Sequence, residues 1–443
     1  MRTTLRWLAP MGLTLVSLAG PSTRPAAQAD AIAPDERAIV RAVDTRNGDA
    51  LSLLERVVNI NSGTENLPGV RRIGAIFRSE FDALGFTTQW VDGAPWQRAG
   101  HLVADHPGVG PRILLIGHLD TVFAPDSPFQ TLTHLDATTA HGPGVIDMKG
   151  GDVIIVSALR ALDAAGLLKA MNIIVVMTGD EEAPGRPLSR ARAALVAAAK
   201  GADVAIGFED GDGDPSHAIT ARRGTTSWQL TVTGTPAHSS QIFRDDIGPG
   251  AIFEAARILN AFREKLAAEP HVTFNPGVIV GGTSVEFNES QATGSAFGKT
   301  NVVAERALVS GDLRALTQAQ FDTAEKTMQA LVSASLAHTH ANLVFDEGYP
   351  PLAPTDGNAR LLELYDRVSR DLGFGGVTAV SPDKAGAADV SFVAGEVPMI
   401  LDAAGLKGRD DHTPGETGDL TTLPVQTKRA AVLLARLARQ RGR

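Results

Sequence analysis

Four short apolar runs, each leading to acids or a histidine, dominate the pattern along the chain. Ile113-Leu-Leu-Ile116 passes through Gly117 into His118, one spacer and Asp120. Ile173-Ile-Val-Val-Met177 ends in Thr178-Gly-Asp-Glu-Glu182, and Val204-Ala-Ile-Gly-Phe208 ends in Glu209-Asp210. Val397-Pro-Met-Ile-Leu401 leads through a glycine-containing loop to His412-Thr-Pro-Gly-Glu416. Runs of this length between turn signals predict strands buried on both faces, as in a parallel sheet. Ligands in open α/β sheets bind beyond the carboxyl ends of the strands, and here those ends carry His, Asp and Glu.

The segments between these runs predict the flanking elements. Residues 30–48 read as a loose, polar lead-in. Leu51, Leu54, Val57 and Val58 share one face of a helix over 50–60, and Ile73, Ile76, Phe77, Phe81 and Leu84 share one face of a second over 69–85. Strands are predicted over 86–91 and 101–104. His141-Gly-Pro-Gly-Val-Ile-Asp-Met-Lys-Gly-Gly151 is a glycine-punctuated turn holding Asp147, followed by an apolar helix over 152–165. From Thr225 the period changes, with Trp228, Leu230 and Val232 alternating with polar residues. A helix near 247–267, strands near 272–281 and 301–314, a helix near 317–337 and a strand over 340–345 complete a β-α-β-β-α-β order, the ferredoxin-like split unit. Helical and buried-strand patterns then resume, at 359–372, 397–401 and 423–439. The expected organisation is one domain interrupted by another: 30–223 and 347–443 form an α/β domain with a mixed, mostly parallel sheet flanked by helices. Residues 224–346 form an α+β insert whose sheet leaves one face for solvent or a partner.

The first 29 residues have the layout of a secretory signal: basic Arg2 and Arg6, an apolar stretch over 7–18, and Ala27-Gln28-Ala29 as a cleavage site. The chain is therefore expected to be exported, periplasmic or secreted. Losing Arg2, Arg6 and Arg24 with no acid lowers the formal charge of −9 by three. An acidic chain is a poor partner for nucleic acid or anionic lipid. No later run reaches the roughly 20 apolar residues that cross a bilayer, so no membrane association is expected after cleavage. At 443 residues the chain can bury a large core. It has no cysteine, so a metal must be held by His, Asp and Glu, which favours zinc, manganese or cobalt.

His118 and Asp120 lie two apart on a strand end, hence on one face, where the acid can orient the imidazole. Each motif alone is weak, because a strand-end histidine is commonly just hydrogen-bonded and an acidic pair is commonly solvated. Together, four strand ends and the Asp147 turn bring two histidines and at least three carboxylates to one crevice. Such acids would repel one another unless a cation sat among them. Two metals sharing a bridging carboxylate would use them and leave one acid free for proton transfer.

GHLDT, GPGVIDMKGG, TGDEE, GFED and HTPGE, in this order and spacing, resemble the zinc exopeptidase family of glutamate carboxypeptidase, the aminoacylases, acetylornithine deacetylase and succinyl-diaminopimelate desuccinylase. The similarity spans about residues 45–440. It implies the zinc exopeptidase fold with a lid or dimerisation domain, and two Zn2+ per subunit, replaceable by Co2+ or Mn2+. His118 and Glu209 would hold one ion, Glu182 and His412 the other, and Asp147 would bridge them. Asp120 would orient His118, and Glu181 would be the general base and acid. The resemblance further implies a cis peptide after Asp147, lid residues Asn301 and Arg314 that hold a substrate carboxylate, and a substrate-binding lid histidine, His238, that reaches a neighbouring subunit's site in a homodimer and donates to the oxyanion. The chain departs from the family pattern in places. Ala385-Gly-Ala-Ala-Asp389 replaces a glycine-rich loop, Asp383 stands where some glutamate-directed members have arginine, and Asp210 follows Glu209 where those members often have proline. Either Glu209 or Asp210 is thus a possible ligand.

The expected activity is that of an exported di-zinc carboxypeptidase-like enzyme, cutting a C-terminal amino acid from a peptide or N-acyl amino acid with a free carboxylate. The alternatives are an N-acyl-amino-acid deacylase or dipeptidase of the same chemistry, a two-metal phosphoesterase, and a non-catalytic binding protein. The last would be signalled by loss of a ligand or of the base, and none is lost.

Overall fold

The apolar runs assemble into a six-stranded sheet in the computed structural model, which describes residues 32–288 and 293–440. The signal-like residues 1–29 lie outside the described part. Strands β1 (Thr87–Asp92), β2 (Gly100–His106), β3 (Val109–His118), β4 (Met171–Thr178) and β5 (Val204–Gly207) stand in the order β1-β2-β4-β3-β5, with Ile400–Leu401 at the far edge. The four strands from β4 outward are mutually parallel, whereas β1 and β2 run antiparallel at the other edge. Only Ile400 and Leu401 of the fourth run pair with β5. Pro398 has no N–H to give a ladder, which shortens that strand.

Helices α1 (Pro34–Val58), α2 (Leu67–Ala83) and α3 (Gly150–Ala164) bury their apolar faces in the main core. The long α1 corrects the expected loose lead-in. Ile39, Val43, Ala50, Leu53, Leu54 and Val57 recur at helical spacing and are all buried, but the Arg, Asp and Asn residues between them masked the stripe. Pro34 occupies the first turn, where its missing N–H costs nothing, and the Glu36 carboxylate accepts the Ala33 N–H at 3.0 Å. No helix among the described residues is long and apolar enough to cross a membrane.

The chain leaves this layer after Arg222 and builds a second sheet from β6 (Gly224–Gly234), β7 (Thr273–Gly282), β8 (Arg306–Ala315) and β9 (Thr339–Phe345). Every pairing is antiparallel and the order is β7-β8-β6-β9, the ferredoxin-like arrangement. Its core packs Trp228, Leu230 and Val232 against α4 (Gly250–Leu266) and α5 (Gln318–Ser333). An exposed hairpin, Ser284–Asn288 with Thr293–Phe297, extends the β7 end. The periodicity did not foretell it, because its residues carry no buried face. The strand expected from 301 starts at Arg306, and residues 301–305 form a loop instead.

The chain then returns to add α6 (Asp356–Asp371) and α7 (Thr422–Ala438). Helix α7 meets α1 through an ion cluster. Arg436 grips the Glu36 carboxylate with two bonds of 3.0 Å, Arg439 adds one of 2.9 Å, and Glu36 is 2% exposed. Burial alone would favour the neutral acid, but the two guanidiniums override it and bring the pKa down to about 2 from 4.5. The ionised form therefore contributes stability that is complete above pH 4.5 and is lost as the pH falls toward 2. Glu36→Gln is expected to destabilise the fold by about 3 kcal/mol at neutral pH, since it leaves buried cations without their partner. Thermal unfolding across acid pH checks this: the gap between the two proteins should narrow as Glu36 takes up its proton.

Candidate metal centre

The carboxyl ends of β3, β4 and β5 open onto one crevice. β3 ends at His118, whose Nε2 lies 3.0 Å from Asp147 Oδ1 and 3.6 Å from Glu209 Oε1. The Asp120 backbone oxygen lies 3.1 Å from His118 Nδ1 and a carboxylate oxygen of Asp120 lies 3.5 Å from it. The backbone oxygen is therefore the nearer partner fixing the ring. The other Asp147 oxygen lies 2.8 Å from His412 Nε2, which is also 3.2 Å from Glu182 Oε2. One carboxylate thus sits between two histidines, each with a further glutamate beside it. The Asp147–Met148 peptide is cis, as the resemblance implied. His412 has φ 58°, in the left-handed region, and its side chain is 53% exposed, whereas His118 and Asp120 are buried. The centre is rooted in the sheet and opens to solvent at His412.

Asp120 has a wider part than orienting His118. Its carboxylate accepts the Thr64 hydroxyl at 2.6 Å, the Glu181 N–H at 3.0 Å and the Glu182 N–H at 3.1 Å. It therefore fixes the backbone of both acids that follow β4. Glu416, quoted in the HTPGE motif but given no role there, holds the bridging turn. Its oxygens accept the N–H groups of Gly144 (2.8 Å), Ile146 (2.9 Å) and Asp147 (3.3 Å). Burial pushes the Glu416 carboxyl up to about 8, and these amide donors pull against that.

The electrostatics describe a centre short of positive charge. Burial raises Glu181 and Glu209 well above the usual carboxylate range, with Asp147 adding to both. Burial and Asp147 bring Glu182 up to about 7. His412 is pushed up to about 11 by its hydrogen bonds to Asp147 and Glu182. Asp147 stays ionised because the two histidines outweigh its burial. The protein's own imidazoles thus supply the charge that the carboxylates demand. The residues fit divalent cations on two counts. The donor set is His and carboxylate only, as zinc accepts, with His118, Asp147 and Glu209 close enough to share an ion. Glu182 Oε1 is buried without a hydrogen-bond partner, an uncommon state for a carboxylate oxygen unless another group binds it. Asp411 also lies within reach of Asp147 and His412. Its side chain is exposed at the mouth, and the sequence motifs did not single it out. Of the two acids after β5, Glu209 joins the cluster, while the Asp210 backbone oxygen accepts the buried Lys407 ammonium at 2.5 Å.

The lid residues do not gather in one place. His238 and Asn301 are neighbours: Ser239 N donates to Asn301 O at 2.9 Å, and His238 pairs with Val302. Arg314 lies at the other end of the sheet, since β8 pairs Arg306 with Thr233 and Arg314 with Thr225. Eight strand residues separate those ends, about 26 Å at the usual rise. The Arg314 guanidinium is held by Asp312 at 2.9 Å, partly exposed.

A mostly parallel sheet whose carboxyl edge faces a carboxylate lying between two histidines, with acids at its flanks, has the layout of a metal-dependent hydrolase. The comparisons give the narrower class. The model of peptidase family M20/M25/M40 matches residues 114–438, and the chain belongs to that family. It is 23% identical to carboxypeptidase G2 from Pseudomonas sp. (strain RS-16) over 387 residues, 87% of this chain and 88% of the relative. It is 33% identical to an acetylornithine deacetylase from Salmonella arizonae over 217 residues, 46% of this chain and 54% of that one. Among solved structures, aminopeptidase PepT from Bacillus cereus aligns with a TM-score of 0.70 at 18% identity, covering 89% of this chain and 99% of that one. A dipeptidase from Saccharomyces cerevisiae aligns at 0.62 and 14% identity, covering 91% and 99%. At such identities the likeness to the solved structures is one of fold.

Proposed function

We propose that the protein is an exported di-zinc carboxypeptidase that hydrolyses the amide bond of a C-terminal amino acid in peptides or N-acyl amino acids. The observation that carries this is the Asp147 carboxylate lying between His118 and His412, with Glu181 beside Glu182 at the same crevice. Similarity to carboxypeptidase G2 along most of both chains supports the substrate class. His118 and Glu209 would hold one ion, Glu182 and His412 the second, and Asp147 both. Two bound zinc ions would supply an activated water at neutral pH and polarise the scissile carbonyl.

The remaining work falls to the chain. Asp120 fixes His118 and, through two backbone bonds, the direction of Glu181. Glu181 takes a proton from the attacking water and returns it to the leaving amine, the two halves of general base and acid catalysis. Its burial among acids raises its proton affinity, which suits the second half. Asn301 stands too far from Arg314 for both to meet one carboxylate within a subunit, and His238 lies beside Asn301, which favours a homodimer whose partner subunit completes the site. Phe243 and Phe253, tilted at 60° with ring centroids 5.5 Å apart and more than half exposed, and Ile279 on the edge strand β7 offer an apolar lid surface for that pairing.

A terminal carboxylate brought into the crevice needs a cationic hydrogen-bonding partner, and Arg314 can give two parallel bonds. Arg314→Ala is expected to weaken kcat/KM for acids by roughly 2–5 kcal/mol and to affect the corresponding C-terminal amides much less. The lost pair with Asp312 is partly exposed and should cost at most about 1 kcal/mol of stability. Assay of the zinc-loaded protein on dipeptides, N-acyl amino acids, their amides and a phosphate ester tests both readings. Equal losses on acids and amides would remove Arg314 from the site, and hydrolysis of the phosphate ester alone would refute the amidohydrolase.

A further inference from the structure

The two crossings between the catalytic layer and the lid are tied to each other. Thr225 N donates to Tyr349 O at 3.0 Å, and Arg222 and Leu352 exchange N–H···O bonds of 2.9 and 3.0 Å. The return crossing is also bound to the loop after β4 that carries Glu181 and Glu182. The Tyr349 hydroxyl donates to the Glu181 carbonyl at 2.8 Å, and the Glu347 carboxylate accepts the Leu188 N–H at 2.8 Å. Buried Arg192 lies beneath. It donates to the Tyr349 oxygen at 2.8 Å, to the Asp180 carbonyl at 3.1 Å, and to the carboxylates of Asp180 and Asp389 at 2.7 Å each. A guanidinium has donors only, so the Tyr349 proton must point at Glu181. The tyrosine ring packs edge-on against Phe392 at 4.8 Å.

The Glu181 backbone is therefore held from two sides. Its N–H is fixed by Asp120 in the catalytic layer, and its C=O by a residue of the lid crossing. Hinges are a few residues that absorb the rotation of one body against another, and any rotation of the lid about these paired crossings pulls on the Tyr349 hydroxyl. We infer that Tyr349 is a positioning residue that couples lid orientation to the aim of Glu181, an inference that rests on reading Glu181 as the general base. With the lid seated, both ends of the Glu181 peptide are pinned and the carboxylate faces the metal centre. With the lid displaced, only the Asp120 bond remains.

Tyr349→Phe removes the hydroxyl and keeps the ring on Phe392, whereas Phe392→Leu keeps the hydroxyl and loosens the packing. In the zinc-loaded full chain, Tyr349→Phe should lower kcat roughly 10- to 100-fold, the size of effect that follows from misplacing a reacting group. KM should stay within about twofold, because the lost interaction acts in the transition state, and bound metal should be unchanged. Phe392→Leu should lower the melting temperature with kcat within about twofold. In a Glu181→Gln background, Tyr349→Phe should cause no further loss. Wild-type kcat in Tyr349→Phe, equal kcat losses in the two single variants, or a further loss in the double variant would overturn the coupling. A Glu181→Gln enzyme at the wild-type rate would overturn the base assignment and the coupling together. A slow Glu181→Gln enzyme beside a normal Tyr349→Phe enzyme would overturn the coupling alone.

Discussion

Glu181→Gln is expected to bind the same metal as the wild type and to turn over roughly 10²–10⁴-fold more slowly, the usual share of a positioned acid–base group. The contacts that fix this residue are made by its backbone: the N–H to Asp120 and the C=O from Tyr349. Replacing the carboxylate with an amide of the same shape leaves both in place. Glutamine cannot accept the proton of the attacking water or return it to the amine, so the loss should fall on kcat. Metal analysis and steady-state kinetics on one preparation check the two halves together. A variant near the wild-type rate would exclude the role.

His412→Ala is expected to lower metal content and to remove nearly all activity. Its Nε2 lies within 3.2 Å of both Asp147 and Glu182, so its loss leaves the second pair of donors without an imidazole. The side chain is 53% exposed and sits on a loop, and water can replace it without opening a cavity in the core. The metal-free variant should nevertheless melt lower at neutral pH, because Asp147 and Glu182 lose the imidazolium that balances them, and metal content separates this variant from Glu181→Gln. The centre also holds protons that a cation must displace: Glu182 up to about pH 7 and His412 up to about 11. Uptake of zinc should accordingly strengthen as the pH rises through neutrality, which titration at several pH values would measure.

The strands and the cluster of side chains at their ends were legible because one physical rule governs both. A strand buried on two faces must be apolar throughout, so the residue where the run stops marks the sheet edge and the crevice. His118, Glu181, Glu182 and Glu209 were found in this way. The split β-α-β-β-α-β insert was legible from its alternation, since its sheet buries one face. Three things were hidden. The first half of helix α1, read as a loose lead-in, hid behind a polar outer face that outnumbered its buried stripe. The paired strands 284–288 and 293–297 hid because neither of their faces is buried. The residues that aim the site, Thr64, Arg192, Glu416 and Tyr349, act through partners distant in sequence. Tyr349 lies 168 positions from the carbonyl it holds, and no local pattern reports such a partner. The placing of Arg314 far from His238 and Asn301 required the strand register, which fixes distances that residue types do not.

On the function proposed above, the crevice works only with two divalent ions held between His118, Asp147, Glu182, Glu209 and His412. The direct measurement removes metal from the full chain with a chelator, returns zinc in known amounts, and follows bound metal and amide hydrolysis together. Negligible turnover is expected without metal, with recovery that reaches its plateau near two equivalents of zinc per chain. Full activity in the metal-free protein, or a plateau with no zinc bound, would contradict that function.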